Sequence, residues 1–316
     1  MRKKRRRVKE DVFSLMRPIR PCDPHPDMAE KKMLRLDRLL HESGFGTRRD
    51  IKKWLKDGAV SVNGMAVLDH GLKIDPERDH VTVFEEAIQY EPYRYIMVHK
   101  PQGVITATRD AKEAVVLDLI PPEWVREGLA PVGRLDKDTT GLVLLTDDGH
   151  LAHRLTAPRY EVEKIYAVRV ARPLQESDRL AFQKGLPIGG GEVAKPARLE
   201  IDPREPRWAL VALREGKMHQ VKRMFETVGT SVLRLHRLSI GPLVLEETLP
   251  EGSARLLRRS EVVRLYEAAG YCLPYFLAAD KAMDVESASS VHDSDDPTDI
   301  FDKTIAAFLK RLPHLV

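Results

Sequence analysis

The residues best suited to chemistry lie in one run, GRLDKDTTGLVLLTDDG, at residues 133–149. Asp136 stands where an Arg-Leu-Asp turn enters an apolar strand, Leu142-Val143-Leu144-Leu145, and Arg134 lies two positions before it. A carboxylate fixed at the end of a strand is placed for nucleophilic work rather than for solvation. Two plainer readings compete. Asp147-Asp148-Gly149 is common hairpin punctuation, and most such aspartates only close turns. Asp136, Asp138, Thr140, Gly141 and Asp147 also fall at positions 1, 3, 5, 6 and 12 of a calcium loop. That loop needs a helix on each side and a bidentate Glu at its end. Here Leu129-Ala130-Pro131-Val132-Gly133 precedes it and an Asp ends it, so the nucleophile reading is preferred.

Such a carboxylate needs a rigid frame. Tyr95-Ile96-Met97-Val98, residues 141–146, 166–170, 198–201 and 208–213 read as strands, and residues 218–228 as a helix. Many strands with few long helices predict an α+β domain on an antiparallel or mixed sheet. Ahead of it lies a smaller module. Leu36, Leu39 and Leu40 have helical spacing, and Gly44 and Gly46 stop that helix. Thr47 then caps a second helix that runs to Gly58. On it Arg48, Arg49, Lys52, Lys53 and Lys56 fall within about 140° of arc, opposite Ile51, Trp54 and Leu55. A basic stripe backed by an apolar one suits RNA docking better than a merely solvated face. A strand at 59–62 follows and ends in the turn Asn63-Gly64.

Composition limits the alternatives. The chain has 316 residues, 42% of them hydrophobic, enough for two domains with real cores. Net charge is only +4, but residues 1–60 carry 18 Lys/Arg against 9 Asp/Glu, and residues 272–316 carry 4 against 8. A basic front and an acidic rear favour a nucleic-acid partner. No apolar run approaches the ~18 residues of a membrane span, and no apolar segment follows the basic start as in a signal peptide. Cys22 and Cys272 have no Cys or His partners at metal spacing. They are expected to be free thiols in a reducing cytoplasm, outside any disulfide framework. Residues 1–32, with RKKRRR and four prolines, read as a basic disordered arm; Met28 and Met33 are alternative starts. The remaining expected units are 33–90, 91–271 and an acidic Ser/Asp-rich tail, 272–316, in which residues 300–312 predict a short helix.

GRLDKDTTGLVLLTDDG, with REGKMHQVKRMF at 214–225, closely resembles the active-site segments of pseudouridine synthases. RLDRLL and TRRDIKKWLKDGAVSVNG resemble the S4 RNA-binding domain. Together they are similar to the branch that modifies ribosomal RNA with an attached S4 domain. The resemblance implies a long mixed, largely antiparallel sheet with a central RNA cleft. It implies isomerisation of uridine to pseudouridine without cofactor or metal. Asp136 would then be the nucleophile, attacking the sugar C1′ or the uracil C6. Tyr166 would pack on the flipped base in place of lost stacking. A basic residue pairing with Asp136 falls on Lys222, with Arg223 about 100° around the helix as second choice and Arg134 as a further candidate. The plain alternative for each cation is a phosphate contact. Arg134 is also expected to hold the space left by the extruded nucleotide. His219 and Gln220 are grouped with the RNA-facing residues, their expected part being to order the loop. KMHQVKRMF is closer to the small-subunit enzymes acting on 16S rRNA than to large-subunit 23S relatives. A cytoplasmic monomer acting on 16S rRNA, free or in an assembling small subunit, is therefore expected. The large-subunit enzyme and a non-catalytic S4 assembly factor remain open.

Overall fold

The computed structural model describes residues 22–26, 33–76, 78–88, 90–274 and 277. The RKKRRR run, residues 285–299 and the helix expected at 300–312 lie outside them.

The first module is assembled from β1 (Leu34–Arg35), α1 (Leu36–Glu42), α2 (Arg48–Lys56), β2 (Val60–Val62), β3 (Met65–Ala66), β4 (Lys73–Ile74), β5 (Val81–Val83) and β6 (Glu86–Ala87). Thr47 starts α2 with a reciprocal capping box: its hydroxyl accepts from Asp50 N, and the Asp50 carboxylate accepts from Thr47 N. Leu36, Leu39, Leu40, Ile51 and Leu55 pack on Val60, Val62, Ile74, Val81 and Val83. Each such side chain contributes about 1.5–3 kcal/mol when removed from water. Asn63 (φ 52) and Gly64 (φ 79) both take left-handed backbone, as the two-residue turn between β2 and β3 requires.

The larger domain comprises β7 (Tyr95–Lys100), β8 (Ala130–Pro131), β9 (Thr140–Thr146), α3 (Gly149–Thr156), β10 (Lys164–Val170), α4 (Glu176–Lys184), β11 (Leu186–Pro187), β12 (Val193–Ala194), β13 (Arg198–Ile201), β14 (Trp208–Leu213), α5 (Gln220–Thr227), β15 (Val232–Ile240), β16 (Leu243–Val244), β17 (Ala254–Leu256) and α6 (Arg259–Ala268). Nine strands form one sheet in the order β13-β14-β10-β15-β9-β7-β17, with β16 on β15 and β8 on β9. Leu142, Val143, Leu144 and Leu145 are all buried because β9 is covered on both faces.

Every pairing in this sheet is antiparallel except that of β15 with β9, which lasts only two residue pairs, His236 with Thr140 and Arg237 with Gly141. The sheet is therefore two halves joined at a short parallel seam. Gly141 permits the approach: it has φ 104, and a Cβ there would lie 2.3 Å from the Arg237 carbonyl oxygen. Buried Arg237 donates from Nε to Leu142 O at 2.8 Å and ties the two strands together. Beyond the seam, residues 232–235 of β15 have no partner on the β9 side. A notch opens there, where the Asp136 loop enters β9.

Three readings of the sequence need correction. Asp147-Asp148-Gly149 is no hairpin: buried Asp148 accepts from Leu151 N and caps α3, whose Leu151 and Leu155 enter the core. The cysteines are paired. Cys22 and Cys272 form a disulfide, with Cα atoms 4.8 Å apart, within the normal range for such a bond. Residues 22–26, expected to be part of a disordered arm, lie against the larger domain, with Asp23 bridged to Tyr271 and His25 only 1% exposed.

Candidate active site

The loop carrying Asp136 is held by its backbone, which leaves the carboxylate free to act. Leu135 is buried and exchanges two hydrogen bonds with Thr106: the Thr106 hydroxyl donates to Leu135 O (2.9 Å) and accepts from Leu135 N (3.1 Å). Gly103 N donates to Lys137 O, and Thr139 N closes a turn on Asp136 O. From the end of β7, fully buried Lys100 donates Nζ to Thr139 O (2.7 Å), Pro101 O (2.9 Å) and Lys137 O (3.3 Å). Burial pulls this amine down to about 8, partly opposed by the carboxylates of Asp138 and Asp136.

The opposite wall is α5 and the loop before it. Gln220 is 3% exposed: its Nε2 donates to Glu215, and its Oε1 accepts from Lys217 N. It orders the loop from inside and is not placed to touch RNA, unlike its grouping with RNA-facing residues. His219 takes left-handed backbone (φ 50) at the N-terminus of α5 and brings Nε2 to 3.4 Å from Asp136 Oδ1. Three residues later, Lys222 Nζ stands 3.0 Å from Asp136 Oδ2 and 2.6 Å from Asp138 Oδ1. Burial works against the Lys222 charge, but Asp138 and Asp136 outweigh it and hold the ammonium above its ordinary range. Partial burial of Asp138 is likewise outweighed by Lys222, so that carboxyl sits below its usual range.

Arg223 does not reach the site. One step along α5 it turns to the β11–β12 hairpin, donating to Ile188 O and Gly189 O and pairing with Glu192. Arg134 is exposed and forms no ion pair with Asp136 among the described residues. Tyr166, on β10, is half-buried against the apolar cluster that contains Leu135. Arg48, Arg49, Lys52, Lys53 and Lys56 are all exposed on α2, while Ile51 and Leu55 are buried beneath them.

Lys100 was not legible as a site residue, because nothing in His99-Lys100-Pro101 marks the amine as buried. Asp138 entered only through the discarded calcium spacing. Asp147, which that spacing also used, pairs instead with Arg126 at 2.6 Å, remote from the Lys222 pair in its bonding. Behind Lys222 the notch widens into a cavity of about 300 Å³ lined by Asp138, Thr140, Leu233, Arg234 and His236. A carboxylate with a shared ammonium, in a slot between two half-sheets, is suited to attack an electrophilic carbon of an inserted ring.

Residues 94–227 match the family model for RNA pseudouridylate synthase, and residues 34–79 match the S4 domain. An RNA pseudouridine synthase of Bacillus subtilis, itself described as uncharacterised, is 42% identical over 236 residues, covering 74% of this chain and 99% of its own. The ribosomal small subunit pseudouridine synthase A of Pseudomonas aeruginosa is 41% identical over 233 residues, 72% of this chain and 99% of that one. A crystal structure of a pseudouridylate synthase shares 38% identity and covers 73% of this chain and 99% of its own, with a TM-score of 0.51. The stretch shared with the Bacillus protein is shorter than the 250-residue separation of Cys22 and Cys272, so it cannot contain both cysteines. Motif, half-sheet seam, paired carboxylate and relatives agree: the chain belongs to the RNA pseudouridine synthase family, as a member with an S4 domain.

Proposed function

We propose that this enzyme isomerises a uridine of small-subunit ribosomal RNA, with Asp136 as its nucleophile. The observation that carries the reading is the 3.0 Å ion pair of Lys222 with Asp136 at the seam. A flipped base excludes water, and a cation at this distance supplies the counterion that water no longer screens. Asp136 adds to C1′ or C6, the N1–C1′ bond breaks, the ring turns, C5 bonds to C1′, and the bond to Asp136 breaks to restore the free carboxylate. The C5 proton leaves to solvent and N1 gains one, so no group enters from outside. In this reading Tyr166, on the strand beside the seam, packs on the base. The exposed cations of α2 provide phosphate contacts that hold structured RNA by shape and charge.

The small-subunit target rests on His219 within KMHQVKRMF and on relatives such as the Pseudomonas enzyme. A cytoplasmic monomer acting on 16S rRNA, free or in an assembling subunit, follows from that reading. None of the described helices is long and apolar enough to cross a membrane. The test is tritium release from C5-labelled uridine in 16S and 23S transcripts and in partly assembled subunits, comparing wild type with Asp136→Asn. Release from 16S alone, lost in the variant, is expected. Release from 23S would overturn the target and leave the chemistry. No release from any substrate would favour an S4 assembly factor.

A further inference from the structure

We propose that Cys22 and Cys272 are a redox modification site, a clasp that fastens the entrance of the S4 module to the catalytic domain and that a dithiol reductant releases. The support is a set of contacts that act together on residues 22–26. Asp23 N donates to Gly270 O at 3.0 Å, and Cys272 N donates to Asp23 O at 2.9 Å, so the two cysteine-bearing segments run side by side. Arg154 pairs with the Asp23 carboxylate at 2.6 Å and lies over the Tyr271 ring at 3.7 Å from its centroid. His25 is inserted among Tyr93, Tyr266 and Tyr271, and its Nε2 stands 3.0 Å from Asp148 Oδ1. Asp148 also accepts from Tyr95 and Tyr266 while it caps α3. A segment bound only by chance would not bury a histidine on a buried carboxylate.

The position gives the clasp its consequence. From Pro26, residues 27–32 separate the clasp from Met33, and the S4 module begins at Leu34. The module's other end leaves through Tyr90 towards Tyr93, whose ring is 5.7 Å from His25. With the disulfide closed, both chain ends of the S4 module are anchored on one patch of the catalytic domain. Reduction leaves the amino-terminal anchor to its noncovalent contacts alone. Cys22 is exposed and Cys272 half-buried, so a reductant reaches the bond from the Cys22 side. The exchange is balanced: the S–S bond takes up two electrons and two protons to give two thiols, and the dithiol becomes a disulfide. In a reducing compartment the open form is the resting one, and the clasp closes on oxidation. The neighbouring backbone bridge keeps the two thiols adjacent, which favours reclosure.

The experiment uses the full chain under air oxidation and after dithiothreitol. Differential alkylation with mass spectrometry reads the thiols, and hydrogen exchange reads residues 22–26 and 270–272. Protected thiols before reduction, two alkylated thiols after it, and at least tenfold faster exchange at Asp23 and His25 on reduction are expected. Cys22→Ser with Cys272→Ser should show the fast exchange in both states. His25→Gln keeps both cysteines and should speed exchange at residues 22–26 even when oxidised. Free thiols in the oxidised protein, or exchange that reduction leaves unchanged, would overturn the proposal.

Discussion

One ammonium, that of Lys222, is shared by two carboxylates two residues apart: 3.0 Å to Asp136 and 2.6 Å to Asp138. The two acids are not equivalent. Asp136 is 27% exposed and Asp138 60% exposed, so Asp138 holds the lysine from the more open side, at the lip of the cavity, while Asp136 is the more enclosed of the two. The arrangement fixes both the charge of Lys222 and its direction before any RNA arrives.

Removing that cation should disable the chemistry more than the binding. In Lys222→Met, the Asp136 carboxylate loses its counterion where a bound base shields it from water. A fall in kcat of about 10²-fold to 10³-fold is expected, the usual cost of one lost electrostatic group at a reacting centre. Filter binding to 16S rRNA should stay within a few-fold. An equal loss in binding and kcat would assign Lys222 to phosphate contact instead.

Asp138 should act through Lys222 and be visible in the pH profile. On the proposed mechanism Lys222 acts in its charged form, so activity should be lost as pH rises through its pKa, which two carboxylates hold above the ordinary lysine value. Asp138→Asn removes one of them, so the alkaline limb of kcat should move to lower pH, with Asp138→Glu restoring it. Superimposable profiles for Asp138→Asn and wild type would show that Asp138 has no such part.

Much of this was readable in the chain because the signals were local. Leu142 to Leu145 form an unbroken apolar run, as a strand buried on both faces must. Thr47 and Asp50 are three residues apart, the spacing of a capping box. Lys222 could be ranked above Arg223 because the resemblance to the family motif falls on Lys222, and one step on a helix turns the next side chain about 100° away. Nonlocal facts stayed hidden. The burial of Lys100 depends on where residues 137–139 pass, and the pairing of Cys22 with Cys272 depends on a register set by the whole domain. α3 was missed because Asp-Asp-Gly, suited to a turn, serves here as a cap for a short helix with only Leu151 and Leu155 buried.

The buried amines predict an unusual stability profile. Lys100 and Lys164 are each pulled to about 8 by burial, against an ordinary value of 10.5. Between those values the unfolded chain binds more protons than the folded one, so both lysines make the fold more stable as pH rises from about 8 towards 10.5. Lys164→Met should lack its share, and Tm should climb less steeply with pH than in wild type. Parallel curves from calorimetry would show that Lys164 keeps its ordinary pKa in the fold.

The α2 stripe can be separated from the active site by salt. Arg48, Lys52 and Lys56 recur every four residues, so they share one face of the helix, and all three are exposed. If each touches a phosphate, neutralising all three to Gln removes three counterion-release terms. The slope of log K against log salt should then shrink by about 2 to 3, using about 0.7 per contact for single strands and about 0.9 for duplex. Affinity at low salt should fall steeply, while kcat at saturating RNA should hold, because none of the three approaches Asp136. An unchanged slope would make the stripe an ordinary solvated face, and RNA capture would then have to come from the cations around the seam, Arg134 and Arg234 first.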